Sequence, residues 1–124
     1  MIAADTNTWI AFFDGTTGPD TEALTKALKE RQVWMVPVVL TELLSAPELS
    51  SAIREILADL PLLEITADYW QRAGSLRAKA LRLRRKARLG DALIAQCCLD
   101  HGILFLTRDR DFRVFAETAG LALA

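Results

Sequence analysis

Five short apolar runs punctuate the chain: Ile2 to Ala4, Val33 to Val36, Leu62 to Ile65, Ile103 to Leu106 and Leu121 to Leu123. Most are continuous rather than alternating. A strand with one wet face alternates apolar and polar residues, so continuous runs predict strands covered on both faces. Between the runs the periodicity becomes helical. Pro19 to Glu30 opens on Pro-Asp and carries Ala23, Leu24, Ala27 and Leu28, an amphipathic repeat with an N-terminal signal. Two shorter helices, Val38 to Ser45 and Ser50 to Ala58, are expected on either side of Pro47. Strands that alternate with helices require crossover connections. The expected fold class is therefore α/β, a three-layer α/β/α sandwich with a mostly parallel sheet.

The longest helix is expected from about Ala67 to Arg85, with Trp70, Ala73, Leu76, Ala80 and Leu83 as its apolar stripe. Gly90 and Asp91 open a shorter helix that ends near His101, where Gly102 suits a C-cap. At 124 residues, 52% of them hydrophobic and 25% charged, the chain is expected to be one domain, 1–124, that buries its core without disulfides. It carries no leader-like segment and no apolar stretch long enough to cross a bilayer, so a cytoplasmic protein is expected. Cys97 and Cys98 are adjacent in an apolar helical pattern, which suits buried packing better than a metal knuckle.

In open α/β sheets the chemistry lies outside the carboxyl ends of the strands. Asp5 closes the first apolar run, and Asp109 follows "ILFL". Glu42 stands one turn into the helix after the second run, in "VPVVLTELL", and Asp91 opens the helix of "RLGDALIAQ". Each acid has a plain structural explanation. Asp5 and Asp91 are placed to cap helices, Glu42 to face solvent, and Asp109 with Asp111 to pair with the neighbouring arginines. Taken together they converge on one edge of a small sheet, and clustered carboxylates repel unless a cation compensates them. Hard oxygen donors favour Mg²⁺ or Mn²⁺.

The absent motifs narrow the chemistry further. His101 is the single histidine and falls at a helix end, which argues against cleavage by a histidine pair. No glycine-rich phosphate loop, serine elbow or Cys-His arrangement occurs. Hydrolysis with a metal-activated water is the chemistry left open.

"MIAADTNTWI", "VVLTELLSA", "LGDALIAQ" and "LFLTRDRDF" resemble, in order and spacing, the four acidic motifs of PIN-domain ribonucleases, especially VapC-like toxins of toxin-antitoxin pairs. The resemblance implies a mostly parallel five-stranded sheet between helices, and an acidic pocket that binds Mg²⁺ or Mn²⁺ and cleaves RNA endonucleolytically. It places Asp5, Glu42, Asp91 and Asp109 as catalytic and metal-ligating residues, with Asp5 and Asp91 the most central. Thr107 would orient a carboxylate or water, and Asn7 would steady the first loop. Asp111 is open between a further acid of the pocket and the cap of the next short helix, with the cap favoured. The same resemblance implies a cognate antitoxin and a homodimer.

Net charge is −1, but eight of the fifteen basic residues lie from Arg72 to Arg88, a stretch without an acid. Arg85, Lys86 and Arg88, the cations nearest Asp91 in sequence, are expected to bind RNA phosphates. A solvated helix face is the plainer use of that charge. Two other acidic-pocket classes fit less well. A receiver-like Mg-binding signalling domain needs an Asp at the end of the third strand and a late Lys, and neither is present. A haloacid-dehalogenase-type phosphatase needs a second Asp at position 7, which is Asn.

Overall fold

A computed structural model describes all 124 residues. The first strand, β1 (Ile2–Ala4), runs into α1 (Thr6–Phe13), followed by α2 (Pro19–Lys29), α3 (Pro37–Leu44) and α4 (Ser51–Ala58). Then come α5 (Tyr69–Arg82), α6 (Leu89–His101), the second strand β2 (Leu104–Leu106), a 3₁₀ turn at Arg110–Phe112, and α7 (Arg113–Ala119).

The regular sheet is smaller than expected. β1 and β2 pair in parallel with Ala3 opposite Phe105, and the other three apolar runs meet their neighbours only through single parallel bridges. These are Ile2 with Val33, Met35 with Leu62, and Phe105 with Leu123. Their brevity has a local cause. Pro37 starts α3 immediately after Val36, and Pro61 stands just before Leu62, so the second and third runs have little length in which to extend. Burial makes up for the short ladder: Ala3, Met35 and Phe105 are fully inaccessible, and they belong to a cluster of 28 buried apolar residues. A fully buried Phe or Met side chain contributes about 1.5–3 kcal/mol, more than the roughly 1 kcal/mol net of one ladder hydrogen bond. Packing outweighs pairing here.

The helices form two groups around the strands. α1 packs on α2 and α3, α2 also touches both strands, and α5, α6 and α7 pack on one another. α5 is shorter than the 67–85 expected. Asp68 takes a left-handed backbone with φ 59°, so the helix starts two residues late, at Tyr69, and Arg84 at φ 57° prevents its extension past Leu83. The inward stripe is consequently Tyr69, Ala73, Leu76 and Ala80, while Trp70 and Leu83 are exposed. Tyr69 rather than Trp70 is the anchor because its hydroxyl donates to the Leu93 carbonyl of α6. α6 ends as predicted, with Gly102 in the left-handed region at φ 56°. Cys97 and Cys98 are buried and unbridged. No helix is long and apolar enough to cross a membrane.

Candidate functional site

The parallel ladder continues one step past β1: the Asp5 N–H donates to the Leu106 carbonyl at 2.8 Å. That step places the Asp5 side chain beside Thr107, just beyond β2. Thr107 Oγ1 donates to Asp5 Oδ2 at 3.0 Å and accepts the Asp109 N–H at 3.0 Å. The Thr6 N–H donates to Asp5 Oδ1 at 2.8 Å, so Asp5 also caps α1. Both uses of this aspartate coexist. One oxygen serves the helix, and the other is aimed by Thr107.

Asp109 in turn caps the 3₁₀ turn, accepting the Asp111 N–H on Oδ1 at 2.9 Å. The expectation that Asp111 supplies the next cap is therefore corrected. A cap accepts from the N–H groups that follow it, and Asp109, with its extended backbone at φ −95° and ψ 118°, is the residue placed to do so. The Asp111 side chain is freed to join the acids. Asp91, Asp109 and Asp111 each offer a carboxylate oxygen, and all these atoms lie within 4.8 Å of one another.

Glu42 stands at the rim. It is exposed, accepts from Thr6 Oγ1 at 2.8 Å, and its Oε2 lies 4.0 Å from where a β-carbon on Gly90 would sit. It thus spans from the first turn of α1 to the first turn of α6. Asn7 is exposed in that same turn of α1 and makes no side-chain hydrogen bond within the chain. The loop is tied instead by the threonines flanking it. Thr6 bonds Glu42, and the buried Thr8 donates to Asp20 Oδ2 at 2.9 Å. Asp20 also receives Arg108 Nε at 2.8 Å and Nη2 at 2.9 Å. This two-point pair fixes the segment between Thr107 and Asp109 to the start of α2. Gly18 makes room for it, since a β-carbon there would meet Asp20 Oδ1 at 2.9 Å. Sequence reading missed this clamp because residues 20 and 108 are far apart in the chain.

Electrostatics mark the same place. Burial pushes the Asp5 carboxyl up to about 6, the charges of Asp91 and Glu42 add to that, and the bonds from Thr107 and Thr6 oppose it. Asp91 is likewise pushed up to about 6, first by burial and then by the charge of Asp109, against a lowering by Arg88. Asp91 Oδ2 is buried and accepts no hydrogen bond. A buried carboxylate oxygen without a donor costs about 1–3 kcal/mol, and a cation is the partner that would satisfy it. The set Asp91, Asp109 and Asp111, flanked by Asp5, fits a hard divalent ion on this ground.

The three cations singled out by sequence diverge. Arg85 Nη1 pairs with Glu117 Oε2 at 2.7 Å, away from the acids. Lys86 Nζ lies 3.2 Å from Asp111 Oδ2, at their edge. Arg88 holds the N-cap position of α6 and acts on Asp91 through its charge.

Comparison with known proteins bears on the family and the fold. Ribonuclease VapC11 of Mycobacterium tuberculosis and VapC ribonuclease Mb1587 of Mycobacterium bovis are each 27% identical to the chain over 131 residues, covering all of it and 98% of each relative. Among solved structures, the crystal structure of VapBC2 from Rickettsia felis bound to a promoter DNA fragment aligns with a TM-score of 0.75 at 19% identity. It covers the whole chain and 98% of its counterpart. The VapBC-5 toxin-antitoxin structure from Mycobacterium tuberculosis aligns at 0.69 and 23% identity, covering 98% of this chain and 94% of that one. These likenesses show a shared fold. The description of the PIN domain matches residues 2–118, which displaces the receiver and phosphatase alternatives: the chain belongs to the PIN-domain family.

Proposed function

We propose that this chain is a divalent-metal-dependent endoribonuclease that serves as the toxin of a toxin-antitoxin pair. The observation that carries the reading is the convergence of Asp91, Asp109 and Asp111 within 4.8 Å, with one Asp91 oxygen buried and unpartnered. Curated relatives named as ribonucleases support the substrate class.

Asp91, Asp109 and Asp111 would hold Mg²⁺ or Mn²⁺, with Asp5 closing the wall behind them and Glu42 the rim. Such an ion, when bound, would supply Lewis acidity toward a phosphodiester. The chain's own residues do the positioning. Thr107 fixes one Asp5 oxygen by donation and fixes the Asp109 backbone by acceptance, so two acids share one orienting hydroxyl. Asp5 is ionised at neutral pH and accepts a proton at its carboxylate. Lys86 and Arg88 face incoming phosphates from the α6 side, where their charge adds salt-sensitive affinity. Arg85 reaches RNA only by leaving Glu117.

The reading includes an antitoxin as protein partner, a homodimer as the assembled toxin, and a cytoplasmic setting for both. An apolar groove lined by Ile10, Phe13, Leu43, Leu49 and Ile53 runs up to Glu42, and a partner seated there would cover the approach to the acids.

The test is cleavage of mixed cellular RNA by purified protein with Mg²⁺ or Mn²⁺, beside Asp5→Asn and Asp91→Asn. Metal-dependent cleavage lost in both variants supports the reading. Equal cleavage by wild type and variants overturns it.

A further inference from the structure

The link between α5 and α6 holds its cations in fixed and different directions. Arg84 turns the chain with a left-handed φ of 57°, and Ala87 is buried with its carbonyl accepting Arg77 Nε at 2.8 Å. Residues 85 and 86 are thus suspended between two anchors. Arg85 is sent to Glu117 on α7, and Lys86 is sent to Asp111 at the acid cluster. Lys86 is the cation in direct contact with that cluster.

We propose that Lys86 is a resident counter-cation that exchanges places with the divalent ion. In the metal-free protein its ammonium offsets part of the charge shared by Asp91, Asp109 and Asp111; when the cluster takes up an ion, Lys86 is displaced and passes to a phosphate of the bound RNA. The inference rests on the reading that these acids hold a divalent ion and that the substrate is RNA.

Three observations make the exchange physically reasonable. An ion bound by Asp111 and an ammonium on the same carboxylate are like charges a few ångströms apart, so occupancy by one weakens the other. The pair is weak enough to break: Lys86 is 57% and Asp111 28% exposed, and such surface pairs contribute at most about 1 kcal/mol. Lysine is also suited to the move, as a point charge on a flexible four-carbon stem with no preferred fork geometry. Because the displaced ammonium is available to phosphate, and phosphate drawing it away unburdens Asp111, metal and RNA binding strengthen each other through this residue. Lys86 acts as a positioning residue for both.

The decisive measurement is titration of Mn²⁺ into metal-free protein without RNA, followed by calorimetry or by the spin resonance of free Mn²⁺. Lys86→Gln keeps the stem and removes the charge, and its Mn²⁺ affinity is expected to rise about three- to fivefold. Lys86→Arg is expected to keep the wild-type value, and Arg85→Gln likewise, since Arg85 faces Glu117. With RNA, KM of Lys86→Gln is expected to rise about threefold with kcat changed less. Unchanged or weakened Mn²⁺ binding in Lys86→Gln overturns the exchange while leaving the ribonuclease reading intact. Failure of the wild type to bind Mn²⁺ at all overturns the reading beneath it.

Discussion

α6 carries an aspartate near each end, and the two have opposite fates. Asp100, in the last turn, sits where the negative end of the helix dipole disfavours a carboxylate; Asp91, in the first turn, sits where the dipole favours one. The dipole alone, about 0.3–1 kcal/mol, predicts the lower pKa for Asp91. The reverse holds. Burial opposes ionisation of Asp100, but hydrogen bonds from Arg72, Gln96 and Thr66 outweigh it and hold its carboxyl below the usual range. Asp91 has one buried oxygen with no donor, acids for neighbours and a pKa near 6. Tertiary partners decide against the local field. The satisfied aspartate locks α6 to the Thr66–Ala67 segment and to α5, and the starved one marks where a ligand belongs.

The sharpest break of this contrast is at Asp91. Asp91→Asn should lower metal-dependent RNA cleavage at least about a hundredfold, since ligand loss exceeds the 10–100-fold cost of disturbing a ligand's support. The same change should leave the metal-free fold as stable or more stable by roughly 1 kcal/mol, because a repelling charge is removed. Asp100→Ala should do the converse. It strips Arg72, Gln96 and Thr66 of their shared acceptor and should cost about 2–3 kcal/mol in urea unfolding, with kcat of the folded fraction retained. If Asp91→Asn unfolds the chain or Asp100→Ala silences it, the division into a functional and a structural end is wrong.

Thr107→Val probes how the starved end is kept in order. It keeps the side-chain volume but removes both the donor to Asp5 and the acceptor for the Asp109 N–H. About a tenfold loss of Mn²⁺ affinity is expected, read by calorimetry, and an unaltered affinity would make this hydroxyl irrelevant to the acids.

The smallest effect is in pH. Asp5 and Asp91 have folded pKa values raised to about 6 over unfolded values near 4. Between those limits the folded state binds more protons, so stability falls as pH rises through the window. Metal-free protein in chelator should therefore melt higher at pH 5 than at pH 7, by on the order of 1 kcal/mol. Asp20 and Asp100 do not interfere, because their pKa values are lowered and their contribution is lost only on further acidification. Excess Mg²⁺ should flatten or invert the trend, and Asp5→Asn should reduce it.

How far the sequence reaches can be judged from particular residues. The boundaries of α2 and α6 and the Gly102 cap follow from local rules, since a proline or a left-handed turn acts within a few residues. The middle of the α5 stripe, Ala73, Leu76 and Ala80, was legible, but its ends were not: Tyr69 takes the place of Trp70 and Leu83 is exposed, because left-handed residues at Asp68 and Arg84 bound the helix. Five apolar runs were legible, but their pairing was not, because ladder length depends on how far neighbours stay in register. Asp5 and Asp109 were legible as candidates from their place after apolar runs, and Glu42 and Asp91 from their place in the first turns of helices. The membership of Asp111 was not, since the cap that releases it depends on the backbone of Asp109.

By itself the sequence determined the α/β order of elements, the placing of acids just past apolar runs, and the collection of cations ahead of Asp91. Those are properties of periodicity and spacing, which local sterics and burial enforce. Only the tertiary structure decided which carboxylates share a space, that Arg85 turns to Glu117 while Lys86 turns to Asp111, and that Asp100 is satisfied where Asp91 is not. The reason is physical: Coulomb and hydrogen-bond energies depend on distances between residues remote in the chain, and no local pattern encodes them.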